Sequence, residues 1–229
     1  MLDPAGRIIM VSGAARGIGR AIVDRLLAAG FLVSAGVREP RGLAESAALH
    51  VHRYDAESVD SAERWVEAAV ARFGALHGLV NAAGINPVFE VTDADETVLD
   101  QLWAVNVKGP LRLCRLALPH LRACGTGRII NVASLSGKRV ANLHAGYAMS
   151  KFAVVALTHS VRRAGWEDGV RATALCPGFV ETDMTMSAPF PREQMTKPGD
   201  LAELAETLLR LPNTAVVAEL LVNCRLEHI

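Results

Sequence analysis

The sequence predicts an α/β fold in which a doubly wound parallel sheet of seven strands is flanked by helices. Short β-branched runs bounded by glycine alternate with longer stretches rich in alanine and leucine, and the longer stretches have helical periodicity. The predicted strands span residues 7–12, 31–37, 50–53, 78–83, 128–134, 170–176 and 218–223. The predicted helices span residues 17–29, 58–73, 95–122, 147–166 and 198–211.

Local signals support several of these elements. The helix at 58–73 starts at Ser58, a residue type preferred at the N-cap. The helix at 95–122 follows Thr92 and Asp95, whose spacing resembles a capping box, and Gly109-Pro110 is expected to bend it. The stretch 183–197 contains prolines and methionines without periodicity, so we expect a mobile loop over a pocket.

Composition narrows the classes of function. A chain of 229 residues that is 51% hydrophobic fits one domain, residues 1–229. Its formal net charge is zero and it has no run of like charges, so nucleic acid and anionic membranes are not expected as partners. The N-terminus does not have the pattern of a signal peptide, and no apolar run approaches the ~18 residues of a membrane span. Small molecules and protein partners remain.

The four cysteines are far apart in the sequence. They form no C-x-x-C pair, so neither a metal site nor a disulfide framework is predicted. A reducing cytoplasm is therefore the expected location.

A glycine-rich turn follows the first predicted strand. The segment GAARGIG contains Gly13, Gly17 and Gly19 and leads into a predicted helix. Such a turn lets the backbone approach a pyrophosphate, and the helix N-terminus offers N–H groups and a positive dipole end. A dinucleotide is the natural ligand, although the spacing differs from G-x-G-x-x-G and a tight turn without a ligand is the alternative.

Polar residues follow two later strands. VNAAG at 80–84 contains Asn81 and Gly84, and NVASLSG at 131–137 contains Ser134. Each segment alone is compatible with an ordinary turn. Ligands of open α/β sheets bind at the carboxyl ends of the strands, and all of these residues lie there.

Tyr147 and Lys151 lie four residues apart in a predicted helix. They therefore share one face, about 6 Å apart along the axis. A nearby ammonium favours the phenolate and lowers the pKa of a tyrosine. Lysine suits this role better than arginine, which is the more frequent cationic residue of the chain. The alternative is that Tyr147 packs and Lys151 extends to water.

Six motifs in order resemble the short-chain dehydrogenase/reductase family in its single-domain form. They are GAARGIG, NAAG, NVKG, NVAS, YAMSK and PGFVET, and they cover residues 7 to about 182. The resemblance implies a Rossmann-like fold and an oxidoreductase that interconverts a carbonyl and a secondary alcohol with a nicotinamide cofactor. It implies a small-molecule substrate and a homo-oligomer, either dimer or tetramer.

The resemblance also implies roles for single residues. Tyr147 is the expected general acid/base, Lys151 lowers its pKa and holds the nicotinamide ribose, and Ser134 binds the reacting oxygen, with Ser136 as a substitute. Asn106 is expected to order a water that connects Lys151 to solvent. The catalytic set is therefore Asn106, Ser134, Tyr147 and Lys151.

The predicted cofactor site combines the glycine turn with the later motifs. Thr182 is expected to contact the nicotinamide carboxamide and Asp55 the adenine, although Asp55 is equally typical of a turn. The full predicted set is Gly13, Arg16, Gly17, Ile18, Gly19, Arg38, Asp55, Asn81, Ala82, Gly84, Tyr147, Lys151, Pro177, Gly178, Val180 and Thr182.

The end of the second strand bears on the choice of nicotinamide. Val37 stands where an NAD-specific acid is expected, and Arg38 follows it. Arg16 in the glycine turn adds a second cation. NADP(H) is therefore the preferred cofactor, while Glu39 keeps NAD(H) open.

The substrate is not identified by the sequence. His144 either borders the substrate together with Ser134 and Tyr147 or is a structural hydrogen-bonding residue. Phe190 and the methionines at 184, 186 and 195 are expected to form an apolar lid.

Two other functions are weighed. A non-catalytic dinucleotide-binding regulator or scaffold is the main alternative. A sugar-nucleotide epimerase or dehydratase is less favoured, because that branch has a larger C-terminal substrate domain and resembles this chain less. The last residues lack the family's glycine-rich closing segment, which leaves the usual tetramer through 95–122 and 147–166 open. The face formed by Phe152, Val155, Ala156 and His159 is either such an interface or core.

Overall fold

The computed structural model describes residues 1–40 and 42–226. Within them the strands are β1 (Ile8–Ser12), β2 (Leu32–Val37), β3 (Leu49–Arg53), β4 (Gly78–Asn81), β5 (Arg128–Val132), β6 (Arg171–Pro177) and β7 (Glu219–Val222). They form one sheet in the order β3-β2-β1-β4-β5-β6-β7, and every pairing is parallel. The predicted doubly wound, seven-stranded parallel sheet is confirmed.

The helices lie between the strands. They are α1 (Gly17–Ala28), α2 (Val59–Phe73), α3 (Thr97–Leu102), α4 (Gly109–Ala123), α5 (Ala145–Ala164) and α6 (Pro198–Arg210). As predicted, Ser58 caps α2, and its side chain accepts a hydrogen bond from the Ser61 N–H. No helix of the described residues combines the length and the hydrophobicity needed to cross a membrane.

The predicted helix at 95–122 is not one regular helix. α3 and α4 are joined by a π-helical segment, Trp103–Lys108, so the hydrogen-bond register changes just before Gly109. Pro110 lies in the first turn of α4, where a missing N–H breaks no helical bond. The predicted cap at Thr92 is wrong: α3 begins at Thr97, whose N–H donates to Asp95 instead.

Helices cover both faces of the sheet. Because successive side chains of a strand point to opposite faces, Ile9 and Val11 pack with the residues of α1 and α6, whereas Ile8 and Met10 pack with those of α2 and α4. Both layers are closely filled, and Trp65 of α2 is fully buried. The core thus holds the strand ends in place at both edges of the sheet.

Buried arginines connect the amino edge of the sheet. Arg128, at the start of β5, is 3% exposed and donates to the carbonyls of Leu211 and Gly169 and to Asn213 Oδ1. Arg7 donates to the Thr126 carbonyl and hydroxyl. These bonds link segments that are distant in sequence at the edge opposite the predicted site.

Candidate active site

The glycine turn lies at the carboxyl end of β1 and requires glycine. Gly13 has φ 68°, and an ideal Cβ on it would lie 2.7 Å from the Ala83 backbone. A Cβ on Gly19 would lie 2.3 Å from the Gly13 carbonyl oxygen. The start of α1 therefore packs directly against the turn, and the turn packs against the segment that follows β4.

The N-terminus of α1 fits a dinucleotide phosphate. Its N-cap, Arg16, makes no side-chain capping bond, and the first turn contains no acidic residue. Gly17 and Ile18 are only half-buried. The helix therefore presents N–H groups and a positive dipole end without a carboxylate from its own first turn, as phosphate binding requires.

The segment after β4 is fixed by a serine that sequence reasoning missed. The Ser12 hydroxyl accepts hydrogen bonds from the Ala82 and Ala83 N–H groups at 3.1 and 3.2 Å. These bonds draw both alanines out of the sheet, so β4 ends at Asn81 rather than at residue 83. A serine at the end of a strand just before Gly13 was the available signal.

Asn81 is a predicted cofactor residue whose side chain lies inside the sheet. It is 3% exposed, and its Nδ2 donates to Asn131 Oδ1 at 2.8 Å. Asn131 in turn donates to the Thr158 hydroxyl. The Asn81 side chain therefore couples β4 to β5, while Ala82 and Gly84 are half-buried at the sheet edge.

Ser134, Tyr147 and Lys151 are brought together at this edge. Tyr147 and Lys151 lie on α5, and the Lys151 Nζ is 5.5 Å from the centroid of the Tyr147 ring. The Lys151 Nζ donates to the Val132 carbonyl at the end of β5, at 2.9 Å. The Ser134 side chain interacts with the Tyr147 phenol, lowering its pKa, and accepts from the Ser136 N–H at 3.0 Å. The side chains of α5 thus meet the end of β5.

Burial controls the charge states of this group. Burial raises the pKa of Tyr147 to about 12, and the hydrogen bond from Ser134 opposes it. Burial lowers the pKa of Lys151 to about 8. The sequence predicts that Lys151 lowers the pKa of Tyr147. In this structure the desolvation of the phenol is the largest effect, and the net result is a raised pKa. At neutral pH the pair is a phenol next to an ammonium.

Asn106 lies in the π-helical segment and is 1% exposed. Its side chain accepts from the Ile85 N–H and donates to the Ile85 carbonyl, both at 2.9 Å, and it donates to the Ser150 hydroxyl at 3.1 Å. Ser150 donates onward to the Tyr147 carbonyl at 2.8 Å. Asn106 therefore ties the segment after β4 to α5. Ser150, inside the YAMSK motif, was not singled out by sequence reasoning.

Lys151 and Asn106 face the same backbone position. An ideal Cβ on Gly84 would lie 3.4 Å from Asn106 Oδ1 and 3.7 Å from Lys151 Nζ. A Cβ at this position would be in ordinary van der Waals contact with both groups.

The residues predicted to bind the adenosine half lie at the ends of β2 and β3. Val37 is 2% exposed, whereas Arg38 directly after it is exposed. Asp55 is half-buried and its Oδ1 accepts from the Glu57 N–H at 3.0 Å, so one oxygen serves a turn. Arg16 Nη1 lies 3.0 Å from Asp183 Oδ2.

The segment after β6 returns to the glycine turn. Pro177 ends β6, the Gly178 N–H donates to the Val222 carbonyl, and Val180 is 3% exposed. Thr182 comes closest to the turn: its Cγ2 would lie 3.3 Å from an ideal Cβ on Gly17.

The predicted lid is only partly present as described. The stretch 183–197 contains two short 3-10 helices, Asp183–Thr185 and Arg192–Gln194. Phe190 stacks on Phe179, and the methionines at 184 and 186 are exposed. Met195 is 3% exposed and belongs to the core, so its assignment to the lid is wrong.

His144 and Cys176 are two further residues of this region. His144 occupies the N-cap position of α5 and makes no capping bond with its side chain. Cys176, in β6, is fully buried and its Sγ donates to the Ala174 carbonyl at 3.6 Å; burial raises the pKa of its thiol to about 11. Sequence reasoning considered Cys176 only as an isolated cysteine.

Comparisons with known proteins show which proteins this chain is similar to. The chain is 40% identical to an agropine synthesis reductase of Rhizobium rhizogenes over 97% of its own length and 53% of that protein. It is 33% identical to a 2-(R)-hydroxypropyl-CoM dehydrogenase of Xanthobacter autotrophicus, with 90% of each chain covered. The chain thus spans about half the length of the agropine synthesis reductases that it matches.

Solved structures show the same fold. An alcohol dehydrogenase from the archaeon Thermococcus sibiricus, complexed with 5-hydroxy-NADP, superposes with a TM-score of 0.86 at 26% identity, covering 97% of this chain and 99% of that one. An aldohexose dehydrogenase of Thermoplasma acidophilum has a TM-score of 0.87 at 22% identity, covering 97% and 94%. Residues 7–192 match the sequence profile described as short chain dehydrogenase. This chain belongs to the short-chain dehydrogenase/reductase family of oxidoreductases.

Proposed function

We propose that this chain is an NADP(H)-dependent oxidoreductase that interconverts a carbonyl and a secondary alcohol. One observation carries the proposal: the side chains of Ser134 and Tyr147 lie together next to the buried amine of Lys151, at the same sheet edge as the glycine turn. The chemistry that a nicotinamide dinucleotide supplies when bound is hydride transfer. The relatives of this chain include proteins named reductase and dehydrogenase.

The three side chains divide the remaining work. Tyr147, with a pKa raised to about 12, holds its phenolic proton at neutral pH and donates it to a carbonyl oxygen during reduction. Ser134 hydrogen-bonds the same oxygen and orients it. Lys151 keeps a positive charge near the phenol, which stabilises the phenolate left after proton transfer.

Other residues of this edge hold the cofactor. The glycine turn and α1 receive the pyrophosphate, the segments after β4 and β6 line the nicotinamide half, and Asp55 lies near the adenine. Asn106 acts as a positioning residue, because its three hydrogen bonds fix Ile85 and Ser150. His144 at the start of α5 borders the substrate.

Charge supports NADP(H) over NAD(H). Arg38 is exposed at the end of β2, where an acid would otherwise bind the ribose 2′-hydroxyl, and Arg16 is exposed at the start of α1. An arginine at this position suits a 2′-phosphate.

We also propose that the chain is one domain, forms a homo-oligomer, either dimer or tetramer, and works in the cytoplasm. Met149 and Phe152 of α5 are 48% and 44% exposed, and Leu111 of α4 is 44% exposed, which supports an interface through these helices. Of the predicted apolar face, Val155 is buried and belongs to the core. All four cysteines are free thiols, which is typical of a reducing compartment.

Calorimetric titration of the purified chain with NADPH and NADH tests the cofactor assignment. We expect NADPH to bind at least about tenfold more tightly, a difference of ~1.4 kcal/mol. Arg38→Gln should remove most of this preference, whereas Arg64→Gln, an exposed arginine of α2, should leave it intact. Binding of neither dinucleotide would contradict the proposed function.

Tyr147→Phe tests the catalytic assignment. The variant should bind NADPH like the wild type and lose carbonyl reduction by at least about 100-fold, the typical contribution of a general acid. Equal turnover by both proteins would refute the role of Tyr147. The scaffold function would be favoured instead if the wild type bound NADPH without turning over and if Tyr147→Phe left a biological readout of the protein unchanged.

A further inference from the structure

An ion pair links the glycine turn to the segment that follows β6. Arg16 and Asp183 are 167 residues apart in sequence, and Arg16 Nη1 lies 3.0 Å from Asp183 Oδ2. Arg16 directly precedes α1, and Asp183 begins the short 3-10 helix Asp183–Thr185. Both residues are therefore at the carboxyl edge of the sheet.

The segments around the pair are close together. An ideal Cβ on Gly17 would lie 3.3 Å from Thr182 Cγ2, so the residues that flank Arg16 and Asp183 leave little room between them. The first turn of α1 has no acidic residue of its own. The fold thus brings a carboxylate from a distant segment to the helix end that is proposed to receive phosphate.

We propose that Asp183 weakens NADP(H) binding by competing with the cofactor 2′-phosphate for Arg16. The inference rests on the proposed function, because it requires that Arg16 contacts the 2′-phosphate. A guanidinium donor that is bonded to Asp183 is not available to the 2′-phosphate. NADH has no 2′-phosphate, so this competition acts on NADP(H) alone and makes Asp183 a determinant of cofactor specificity.

The expected effect is modest because the pair is exposed. The side chains of Arg16 and Asp183 are 72% and 58% exposed. Exposed pairs of this kind interact weakly, which corresponds to about two- to fivefold in Kd. The effect should shrink as salt screens the charges.

The test compares wild type, Asp183→Asn and Asp24→Asn by calorimetric titration with NADPH and NADH at low ionic strength. Asp24 is a matched control, since it is an exposed carboxylate that pairs with Arg20 at 2.9 Å on the same helix. We expect Asp183→Asn to lower the Kd for NADPH about two- to fivefold and to leave the Kd for NADH unchanged. Asp24→Asn should change neither.

A second variant shows whether the effect passes through Arg16. In an Arg16→Gln background, Asp183→Asn should no longer tighten NADPH binding, which a double-mutant cycle measures directly. Circular dichroism and thermal unfolding of each variant confirm that folding is intact.

Three results would overturn the proposal. If Asp183→Asn weakens both dinucleotides, the pair holds the site closed rather than competing with phosphate. If it tightens both equally, Arg16 does not contact the 2′-phosphate. If it changes neither while wild type binds NADPH, Asp183 has no role in affinity. Failure of the wild type to bind either dinucleotide is a separate result that contradicts the proposed function itself.

Discussion

Replacing Lys151 with methionine tests whether burial sets the charge of its amine. Lys151 is 6% exposed, and burial lowers its pKa from 10.5 to about 8. At neutral pH the folded chain therefore holds an ammonium in a poorly solvated position, while the unfolded chain holds the same ammonium in water. The folded state is destabilised by this difference.

The magnitude follows from the two pKa values. The fall from 10.5 to about 8 corresponds to about 3 kcal/mol, at ~1.36 kcal/mol per pH unit. Between these values the unfolded chain binds more protons than the folded chain, so the free energy of unfolding rises with pH. Methionine does not titrate. We therefore expect the stability of wild type relative to Lys151→Met to increase by about 2–3 kcal/mol between pH 7 and pH 10.

Urea unfolding followed by tryptophan fluorescence measures this difference at each pH. Loss of the hydrogen bond to the Val132 carbonyl adds an offset that does not create the trend. Lys108→Met, which removes an exposed lysine, is the control for alkaline effects on the chain as a whole. A stability difference that stays constant from pH 7 to pH 10 would refute the reasoning, as would an equal trend in the control.

Three further predictions concern the candidate site. Gly19→Ala should lower the free energy of unfolding by about 1–3 kcal/mol, because its Cβ would lie 2.3 Å from the Gly13 carbonyl oxygen. Asn106→Ala should lower it by about 2 kcal/mol, because two backbone groups of Ile85 lose their partners; urea unfolding measures both. Ultraviolet titration should detect no phenolate from Tyr147 below about pH 10, since its pKa is about 12.

Each of these measurements has a reference within the chain. Gly199→Ala on α6 should cause no loss of stability, because nothing lies within 4 Å of the added Cβ and alanine favours the helix. Gln101→Ala, an exposed position on α3, is the reference for the asparagine. The chain has only two tyrosines, so the difference between wild type and Tyr147→Phe isolates the Tyr147 signal. If Gly199→Ala lowered the free energy of unfolding as much as Gly19→Ala, the packing argument would be contradicted. If Gln101→Ala lowered it as much as Asn106→Ala, the hydrogen-bond argument would be contradicted.

The sheet was predictable from sequence because its central strands are buried on both faces, as in β1 and β4, and are short, almost continuous apolar runs. The edge strands β3 and β7 are only partly buried, but each predicted strand matches an observed one to within two residues at either end. The π-helical segment was not predictable from periodicity. Its register depends on Asn106 reaching Ile85, a contact between distant parts of the chain.

Some features of the candidate site could likewise be predicted from sequence and others could not. The proximity of Tyr147 and Lys151 could be predicted from their spacing, because both residues belong to one helix. Their pKa values were not, since these depend on burial created by the surrounding strands and loops. The Arg16–Asp183 pair also depends on tertiary structure, because no local pattern connects residues 167 positions apart.

The buried arginines at the amino edge give the two edges of the sheet different sensitivity to salt. Arg7 and Arg128 are buried and donate to carbonyl, hydroxyl and amide oxygens, which carry no net charge. The segment after β6 is instead held by partly exposed ion pairs, Glu181 with Lys197 and Asp183 with Arg16, which dissolved ions screen. Added salt should therefore loosen the carboxyl edge first and leave the opposite edge of the sheet joined.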